Sequence, residues 1–247
     1  SSEDVAIREV GGTVQRAVAP GEMVVVLREA VQSVRPFPAQ APSRCAQELV
    51  GLARHDASIM DRSPYEVRTK LGERVGRTDP ADVDLVLALP HDEPFALGYA
   101  RSTGHPYERG LLPRYGASGE DWMVVPSVVQ GRRVAIVSRS LLTGAEARKA
   151  VSRLRAAGAV EVHVRVATPP IARACVYGVP SPTTDELASA RRPDPEDLRA
   201  WLDADTVGFL PLEALVDVLG TRGWCTACVS GDHPVAPEEA DDQLPLF

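Results

Sequence analysis

Four cysteines offer the clearest potential for chemistry in this sequence. Cys225 and Cys228 form a C-x-x-C pair, whereas Cys45 and Cys175 lie far from it along the chain. A C-x-x-C pair alone is a weak signal, because it is compatible with zinc binding, with redox chemistry or with no ligand. Four cysteines are too few for a disulfide scaffold in 247 residues, and a reducing compartment would favour metal ligation or free thiols. Thiolate ligands suit zinc and iron–sulfur clusters alike.

Two polar segments directly follow apolar runs that are typical of buried strands. The segment 90–93, PHDE, follows the run 83–89, and Ser138-Arg139-Ser140 follows the run 134–137. Ligands of open parallel α/β sheets bind at the carboxyl ends of the strands, so both segments are expected places for a site. Just beyond the second, Thr143 and Glu146 have the spacing of a capping box that would begin a helix.

An alternation of strand and helix patterns predicts how these segments are held. Apolar runs with strand character occupy residues 23–27, 83–89, 134–137 and 160–166. Helices are predicted to begin at Ser63-Pro64, with a stop at Gly72 or Gly76, and near Thr143, with a stop at Gly158. Further helix starts are predicted at 183–186 and 194–197. The pattern is typical of an α/β domain with a parallel sheet flanked by helices.

Composition excludes some classes of function. The net charge of -7 argues against a broad nucleic-acid-binding surface, since phosphate contacts need clustered basic residues. No run approaches the roughly 20 apolar residues of a membrane span, and the first residues do not resemble a secretory signal. We therefore expect a cytoplasmic protein without direct nucleic-acid or membrane contact.

Four segments carry a resemblance to a known family: residues 45–56, residues 98–111 (GYARSTGHPYERGL), residues 165–171 (RVATPPI) and residues 225–231. In this order they resemble segments of the glutamine phosphoribosylpyrophosphate (PRPP) amidotransferases. Residues 98–111 are similar to that family's GYA-SGIPY-GL run, and residues 165–171 are closer still to its sequence. The first and last segments resemble its cysteine-led stretch and its closing motif. The resemblance covers roughly residues 3–234. It implies a type I phosphoribosyltransferase-like parallel sheet with a C-terminal cysteine-ligated segment.

The resemblance gives the cysteines a shared role. All four fall where one branch of the family ligates a 4Fe–4S cluster, so it implies a structural cluster that joins distant segments of the chain. Zinc and free structural thiols remain the alternatives, because ligand type alone does not separate iron from zinc. The implied ligands are Cys45, Cys175, Cys225 and Cys228.

The resemblance also locates a phosphoribosyl site that has lost most of its binding residues. Active members carry VDDSIVRGTT where residues 137–146 read VSRSLLTGAE. The acidic pair for the ribose hydroxyls is replaced by Ser138 and Arg139, and Glu146 puts a carboxylate where a phosphate would bind. The family's PDSG loop reads PHDE, and the closing loop between Gly110 and Gly131 is shorter than the family's. No catalytic residue is assigned; the degenerate motif comprises Ser138, Arg139, Ser140, Thr143 and Gly144.

The altered pocket has two interpretations. Arg139, His91, Asp92 and Glu93 are expected to converge on it. Such a mixed cluster could bind a carboxylate or amine metabolite. Alternatively, these side chains are solvated surface charge.

Three functional hypotheses follow from the resemblance. The first is a non-transferring iron–sulfur scaffold, regulatory or partner subunit, which could work with a glutaminase domain or subunit. The second is an active amidophosphoribosyltransferase, or a relative with an altered substrate, that would use PRPP and Mg²⁺. The third is an interaction protein recruited to DNA. We expect a homo-oligomer with residues 1–20 as a glutaminase-domain end and linker, 21–231 as the phosphoribosyltransferase-like domain, and 232–247 as a flexible acidic tail.

The third hypothesis depends on the last five residues, QLPLF. They resemble short peptides by which bacterial proteins dock on the DNA polymerase sliding clamp. A terminal peptide on a tether can place its apolar side chains into a groove at little ordering cost. The predicted partner-binding residues are Gln243, Leu244, Leu246 and Phe247.

Overall fold

The computed structural model describes residues 1–38, 41–114, 122–220 and 223–236. The strands in these ranges are β1 (Met23–Val26), β2 (Val31–Val34), β3 (Arg44–Cys45), β4 (Leu85–Ala88), β5 (Leu111–Pro113), β6 (Trp122–Val124), β7 (Arg133–Ser138), β8 (Glu161–Val166), β9 (Thr206–Phe209) and β10 (Trp224–Cys225). The α-helices are α1 (Asp4–Glu9), α2 (Pro64–Thr78), α3 (Glu93–Thr103), α4 (Pro126–Val129), α5 (Ala145–Ala156), α6 (Ala188–Arg191), α7 (Pro195–Leu202), α8 (Leu212–Leu219) and α9 (Ala227–Ser230). A π-helix covers Glu48–Leu52, and a 3₁₀ helix covers Thr184–Glu186.

A four-stranded parallel sheet forms the centre of the molecule. Its strand order is β4-β7-β8-β9, and every neighbouring pair is parallel. All four residues of β4, and five of the six in both β7 and β8, are buried. Strands covered on both faces have continuous apolar sequences, which is why these runs could be recognised. The predicted α/β fold with a parallel sheet is confirmed.

Helices cover both faces of this sheet. On one face, α2, α3 and α8 pack on the strands through a cluster that includes Leu71, Tyr99 and Leu215. On the other face, α5 and α7 pack through a cluster that includes Leu154 and Leu202. The carboxyl ends of β4 and β7 are therefore held by a rigid packed core.

Two glycines allow α2 and α3 to approach closely. A Cβ atom at Gly72 would lie 1.9 Å from the Phe95 carbonyl oxygen, and one at Gly98 would lie 2.0 Å from the Thr69 carbonyl oxygen. The prediction that the helix stops at Gly72 or Gly76 is wrong, because α2 continues to Thr78. Gly72 provides space for helix packing and does not end the helix.

The first predicted strand lies outside the central sheet. The strand β1 pairs antiparallel with β2 in a separate hairpin, so the apolar run 23–27 was wrongly grouped with the sheet strands. The fourth strand of the sheet is instead β9, which was not predicted from the sequence, and neither were α3 and α8. No described helix is long and apolar enough to span a membrane.

Candidate functional site

A crevice lies at the carboxyl ends of β4 and β7, as predicted from the positions of the polar segments. It has a volume of about 280 Å³ and is closed on one side by the start of α5. Its described lining comprises Leu89, Asp92, residues 138–147 and Pro182. The degenerate motif residues Ser138, Arg139, Ser140, Thr143 and Gly144 therefore share one cavity.

Asp92 is the buried acid of this crevice, with only 3% of its surface exposed. Its Oδ2 atom accepts hydrogen bonds from Ser138 Oγ and from the Arg139 backbone N–H, both at 3.0 Å. The Arg139 Nε atom lies 3.6 Å from Oδ1, within ion-pair range but beyond a hydrogen bond. Burial raises the pKa of Asp92 to about 6, although Arg139 and the hydrogen bonds oppose the rise.

Only part of the predicted mixed cluster forms. Asp92 and Arg139 meet in the crevice, but His91 and Glu93 are not among its described lining residues. Both lie close enough to His55 to influence its pKa, which burial and the charge of Arg68 lower. The expectation that all four side chains converge on one pocket is wrong, because only Asp92 and Arg139 line it, while His91 and Glu93 act on His55.

The start of α5 differs from the predicted capping box. Its N-cap residue is Gly144, with φ of 75°, and no side-chain cap is formed. Thr143 Oγ1 accepts a 3.4 Å hydrogen bond from the Ala145 backbone N–H, so its partner is not Glu146. A Cβ atom at Gly144 would lie 2.7 Å from the Trp201 ring. Tertiary packing against α7 therefore requires glycine here, and the Glu146 side chain remains exposed at the rim of the crevice.

The four cysteines line a second cavity of about 190 Å³. Cys45 and Cys225 are register partners in the parallel pair of β3 and β10. Cys228 lies in α9, where Gln47 Nε2 is 4.0 Å from its Sγ atom. Cys175 lies in the loop after β8, and its Sγ atom accepts a 3.4 Å hydrogen bond from the Tyr177 backbone N–H. The fold thus brings together thiols from three distant segments.

Burial favours the neutral form of two thiols in this cavity, those of Cys45 and Cys228. Burial raises the pKa of Cys45, and it raises the pKa of Cys228 to about 11, with further contributions from neighbouring thiols. Among the described residues, no group of three or more His, Cys, Asp or Glu side chains is placed to hold a metal ion. The thiols therefore share a cavity without forming a ready-made centre for a single ion.

A buried arginine, Arg68, and a half-buried one, Arg62, hold the segments around this cavity, and neither was predicted from the sequence. Arg68 donates to the carbonyl oxygens of Leu49 and Ala53 and contacts His55 Nδ1 at 2.8 Å. It thereby fixes the π-helix that follows Cys45. Arg62 donates to the carbonyl oxygens at the end of α8, just before the segment that carries Cys225. Each satisfies backbone groups that burial would otherwise leave unpaired.

The two cavities are neighbours. Arg139, Ser140 and Leu142 line both of them. The closing-loop residues 115–121 and the predicted clamp-binding residues Gln243, Leu244, Leu246 and Phe247 lie outside the described residues. The structure therefore does not test those two predictions.

Comparisons with known proteins identify relatives of this chain by sequence and by structure. No family model matches the sequence. The chloroplastic amidophosphoribosyltransferase of Vigna aconitifolia is 36% identical over 256 residues, covering 96% of this chain and 53% of that protein. The amidophosphoribosyltransferase of Synechococcus elongatus is 35% identical over 260 residues, covering 97% and 52%. The structure of the B. subtilis glutamine PRPP amidotransferase complexed with ADP and GMP matches with a TM-score of 0.88 at 32% identity, covering 96% of this chain and 57% of that one.

The chain spans about half the length of the curated relatives it matches. Both the sequence match and the structural match extend over nearly the whole of this chain. By homology over the region of the C-terminal phosphoribosyltransferase domain, the chain belongs to the amidophosphoribosyltransferase family.

Proposed function

We propose that this chain is a divergent amidophosphoribosyltransferase homologue that does not transfer phosphoribosyl groups and serves as a scaffold, regulatory or partner subunit. The observation that carries the proposal is the pairing of Arg139 with buried Asp92 in the crevice. In active members of the family, the position of Arg139 carries one of the two acidic residues that bind the ribose hydroxyls. Here the arginine can only donate hydrogen bonds, and an acid of the crevice already engages it.

Electrostatics at the start of α5 support the same conclusion. A helix N-terminus favours anions because its first N–H groups are unpaired and its dipole is positive there. Glu146 occupies the first turn of α5 and lines the crevice. Its carboxylate competes with a phosphate for the same N–H groups and repels it. Because Arg139 is paired with Asp92, it does not fully offset that repulsion.

Calorimetric titration with PRPP and Mg²⁺ tests the loss of transfer. We expect no measurable binding in the micromolar range, with an active amidophosphoribosyltransferase as positive control. Micromolar binding to this chain would overturn the proposal and favour the alternative of an active enzyme. The Glu146→Gln variant is the matched test of the cause, because it removes the repelling charge and keeps the side-chain volume. It should bind PRPP no more weakly than the wild type.

We include a structural 4Fe–4S cluster in this proposal, and the donor set fits one. Four thiols line one cavity, which is the ligand set of such a cluster. Each thiolate of a cubane binds a different iron, so its ligands stand farther apart than those around one ion. For this reason the lack of a single-ion site among the described residues does not count against a cluster. The implied ligands are Cys45, Cys175, Cys225 and Cys228.

In this chain the cluster would have a structural role. It would link β3, the loop after β8 and the β10–α9 segment, and metal binding to the native state contributes to folding free energy. Anaerobic purification followed by absorption spectroscopy and iron, sulfide and zinc analysis tests this. We expect four irons and four sulfides per chain, with loss of the visible absorption in Cys228→Ser. One zinc per chain, or no metal, would refute the cluster.

The remaining assignments stay predictions. They are the domain limits 1–20, 21–231 and 232–247, cytoplasmic location, homo-oligomerisation, cooperation with a glutaminase domain or subunit, and sliding-clamp docking. The curated relatives, named amidophosphoribosyltransferases, are roughly twice as long as this chain. The similar B. subtilis structure is described as a glutamine PRPP amidotransferase, which supports a search for a glutaminase partner. Size-exclusion chromatography with light scattering tests the oligomer. Titration of the tail peptide against the clamp, with Phe247→Ala as control, tests the docking.

A further inference from the structure

One carboxylate oxygen in the crevice lacks a hydrogen-bond partner. Asp92 Oδ1 is buried and accepts no hydrogen bond from any described residue. Its ion-pair neighbour, Arg139 Nε, lies 3.6 Å away, too far for a hydrogen bond. Buried polar atoms are almost always hydrogen-bonded, so an unpaired carboxylate oxygen in a residue that lines the crevice favours a ligand that carries a donor.

A second carboxylate faces the same space. Glu146 lines the crevice, and its charge is close enough to raise the pKa of Asp92. Among the described lining residues, these two carboxylates face one guanidinium, that of Arg139, while Arg68 interacts with Asp92 from outside the lining. The crevice therefore favours a ligand that brings positive charge and hydrogen-bond donors.

Hydroxyl groups complete the lining. Ser140 and Thr143 border the crevice beside the start of α5, and each hydroxyl can both donate and accept. The volume of about 280 Å³ is near the lower end of ligand pockets, at roughly 300 Å³. The space suits a molecule about the size of a pentose.

We propose that this crevice binds a small polyhydroxylated amine as a monocation, with its ammonium group facing the carboxylates of Asp92 and Glu146. Its hydroxyls would exchange hydrogen bonds with Ser140 and Thr143. The proposal rests on the proposed loss of PRPP binding and gives the altered site its own ligand class. It also accounts for the carboxylate at a helix start, because Glu146 repels an anion and attracts a cation.

The test uses two probes of the same shape. Iminoribitol is a pyrrolidine and carries a positive charge at neutral pH, whereas anhydroribitol has an ether oxygen in place of the ring nitrogen. Calorimetry or ligand-detected NMR at pH 7.5 should show iminoribitol binding at least tenfold more tightly than anhydroribitol. Equal affinities, or binding of neither probe, would overturn the inference.

Three variants locate the binding. Glu146→Gln removes an exposed charge without disturbing the core, and it should weaken iminoribitol binding about tenfold while leaving anhydroribitol unchanged. Asp92→Asn should weaken it at least as much. Glu196→Gln is the matched control, since this exposed carboxylate pairs with Arg199 on α7 away from the crevice. Iminoribitol binding that survives both Glu146→Gln and Asp92→Asn would place the probe elsewhere and refute the proposal.

A PRPP–Mg²⁺ arm separates this inference from the proposed function. If only iminoribitol binds, both hold. If neither ligand binds, the loss of transfer stands and the amine site is refuted. If only PRPP binds, both are refuted. If both bind, the amine site is supported and the proposed loss of PRPP binding is refuted.

Discussion

Replacing Asp92 with asparagine would measure the electrostatic cost of the crevice. Asp92 is 3% exposed, and burial raises its pKa from the ordinary 3.8 to about 6. The difference of about two pKa units corresponds to about 3 kcal/mol, at about 1.4 kcal/mol per unit. Between those two pH values the native state holds a proton that the unfolded state has lost. The free energy of unfolding of the wild type therefore falls as pH rises from about 4 to about 6.

Asparagine removes this cost and keeps an oxygen that can accept from Ser138 Oγ and the Arg139 N–H. The ion pair with Arg139 is already included in the pKa of about 6, because the charge of Arg139 opposes the rise. We therefore expect Asp92→Asn to unfold with nearly the wild-type free energy at pH 4 and with about 3 kcal/mol more at pH 8. The charges facing Asp92 are those of Arg139, Glu146 and Arg68, and all remain in the variant.

Urea denaturation at half-unit steps from pH 4 to pH 8 measures the difference, with the metal content of both proteins held equal. Titration of other carboxylates affects both proteins alike and cancels. Ser138→Ala provides a second check, because loss of a hydrogen bond to the carboxylate should move the pH-dependent fall to higher pH. A variant less stable than the wild type at pH 8, or a difference that does not change with pH, would refute the reasoning.

Three further predictions concern packing, hydrogen bonding and thiol reactivity. Gly72→Ala should destabilise the chain by at least about 2 kcal/mol in urea melts, because the new Cβ atom would lie 1.9 Å from a backbone oxygen of α3. Gly51→Ala is the control. Its new Cβ atom would have its nearest contact at 3.5 Å, so the variant should lose under about 1 kcal/mol of stability. Arg68→Met should lower the free energy of unfolding by at least about 3 kcal/mol, because it leaves buried carbonyl oxygens unpaired. As a control, Arg74→Met removes an exposed ion pair and should change the free energy of unfolding by under about 1 kcal/mol. In metal-free protein at pH 8, mass spectrometry should find Cys228 alkylated by iodoacetamide at least tenfold more slowly than in urea, since burial raises its thiol pKa to about 11; equal rates would contradict that pKa.

Local signals in the sequence predicted much of the fold. The continuous apolar runs of β7 and β8 identified strands buried on both faces. The starts of α2 and α7 were also predictable, because Ser63 and Asp194 accept hydrogen bonds from backbone N–H groups two or three residues later. The association of β1 with β2 was not predicted, since an apolar run does not specify its partner strand.

The site was predicted less completely, because its geometry depends on tertiary contacts. The sequence indicated that Asp92 and Arg139 lie at neighbouring strand ends. It did not indicate that Asp92 is buried and forms an ion pair with Arg139. The spacing of Thr143 and Glu146 predicted a capping box. Packing of Trp201 against Gly144 instead favours a helix start at a glycine in the left-handed conformation. These two residues lie far apart in sequence, so local spacing does not predict their contact.

The altered residues of the crevice depend on one another electrostatically. Arg139 offsets part of the cost of burying Asp92, and the hydrogen bonds of Oδ2 require the backbone conformation at Ser138 and Arg139. Replacing Arg139 alone with an acidic residue, as in the family's motif, would place a second carboxylate beside Asp92 and close to Glu146. One would take up a proton or the local fold would weaken, so ribose hydroxyls would meet a strained pocket. Under the proposed function, PRPP binding therefore depends on the whole set of residues, and reverting one of them alone would disrupt the charge arrangement that they share.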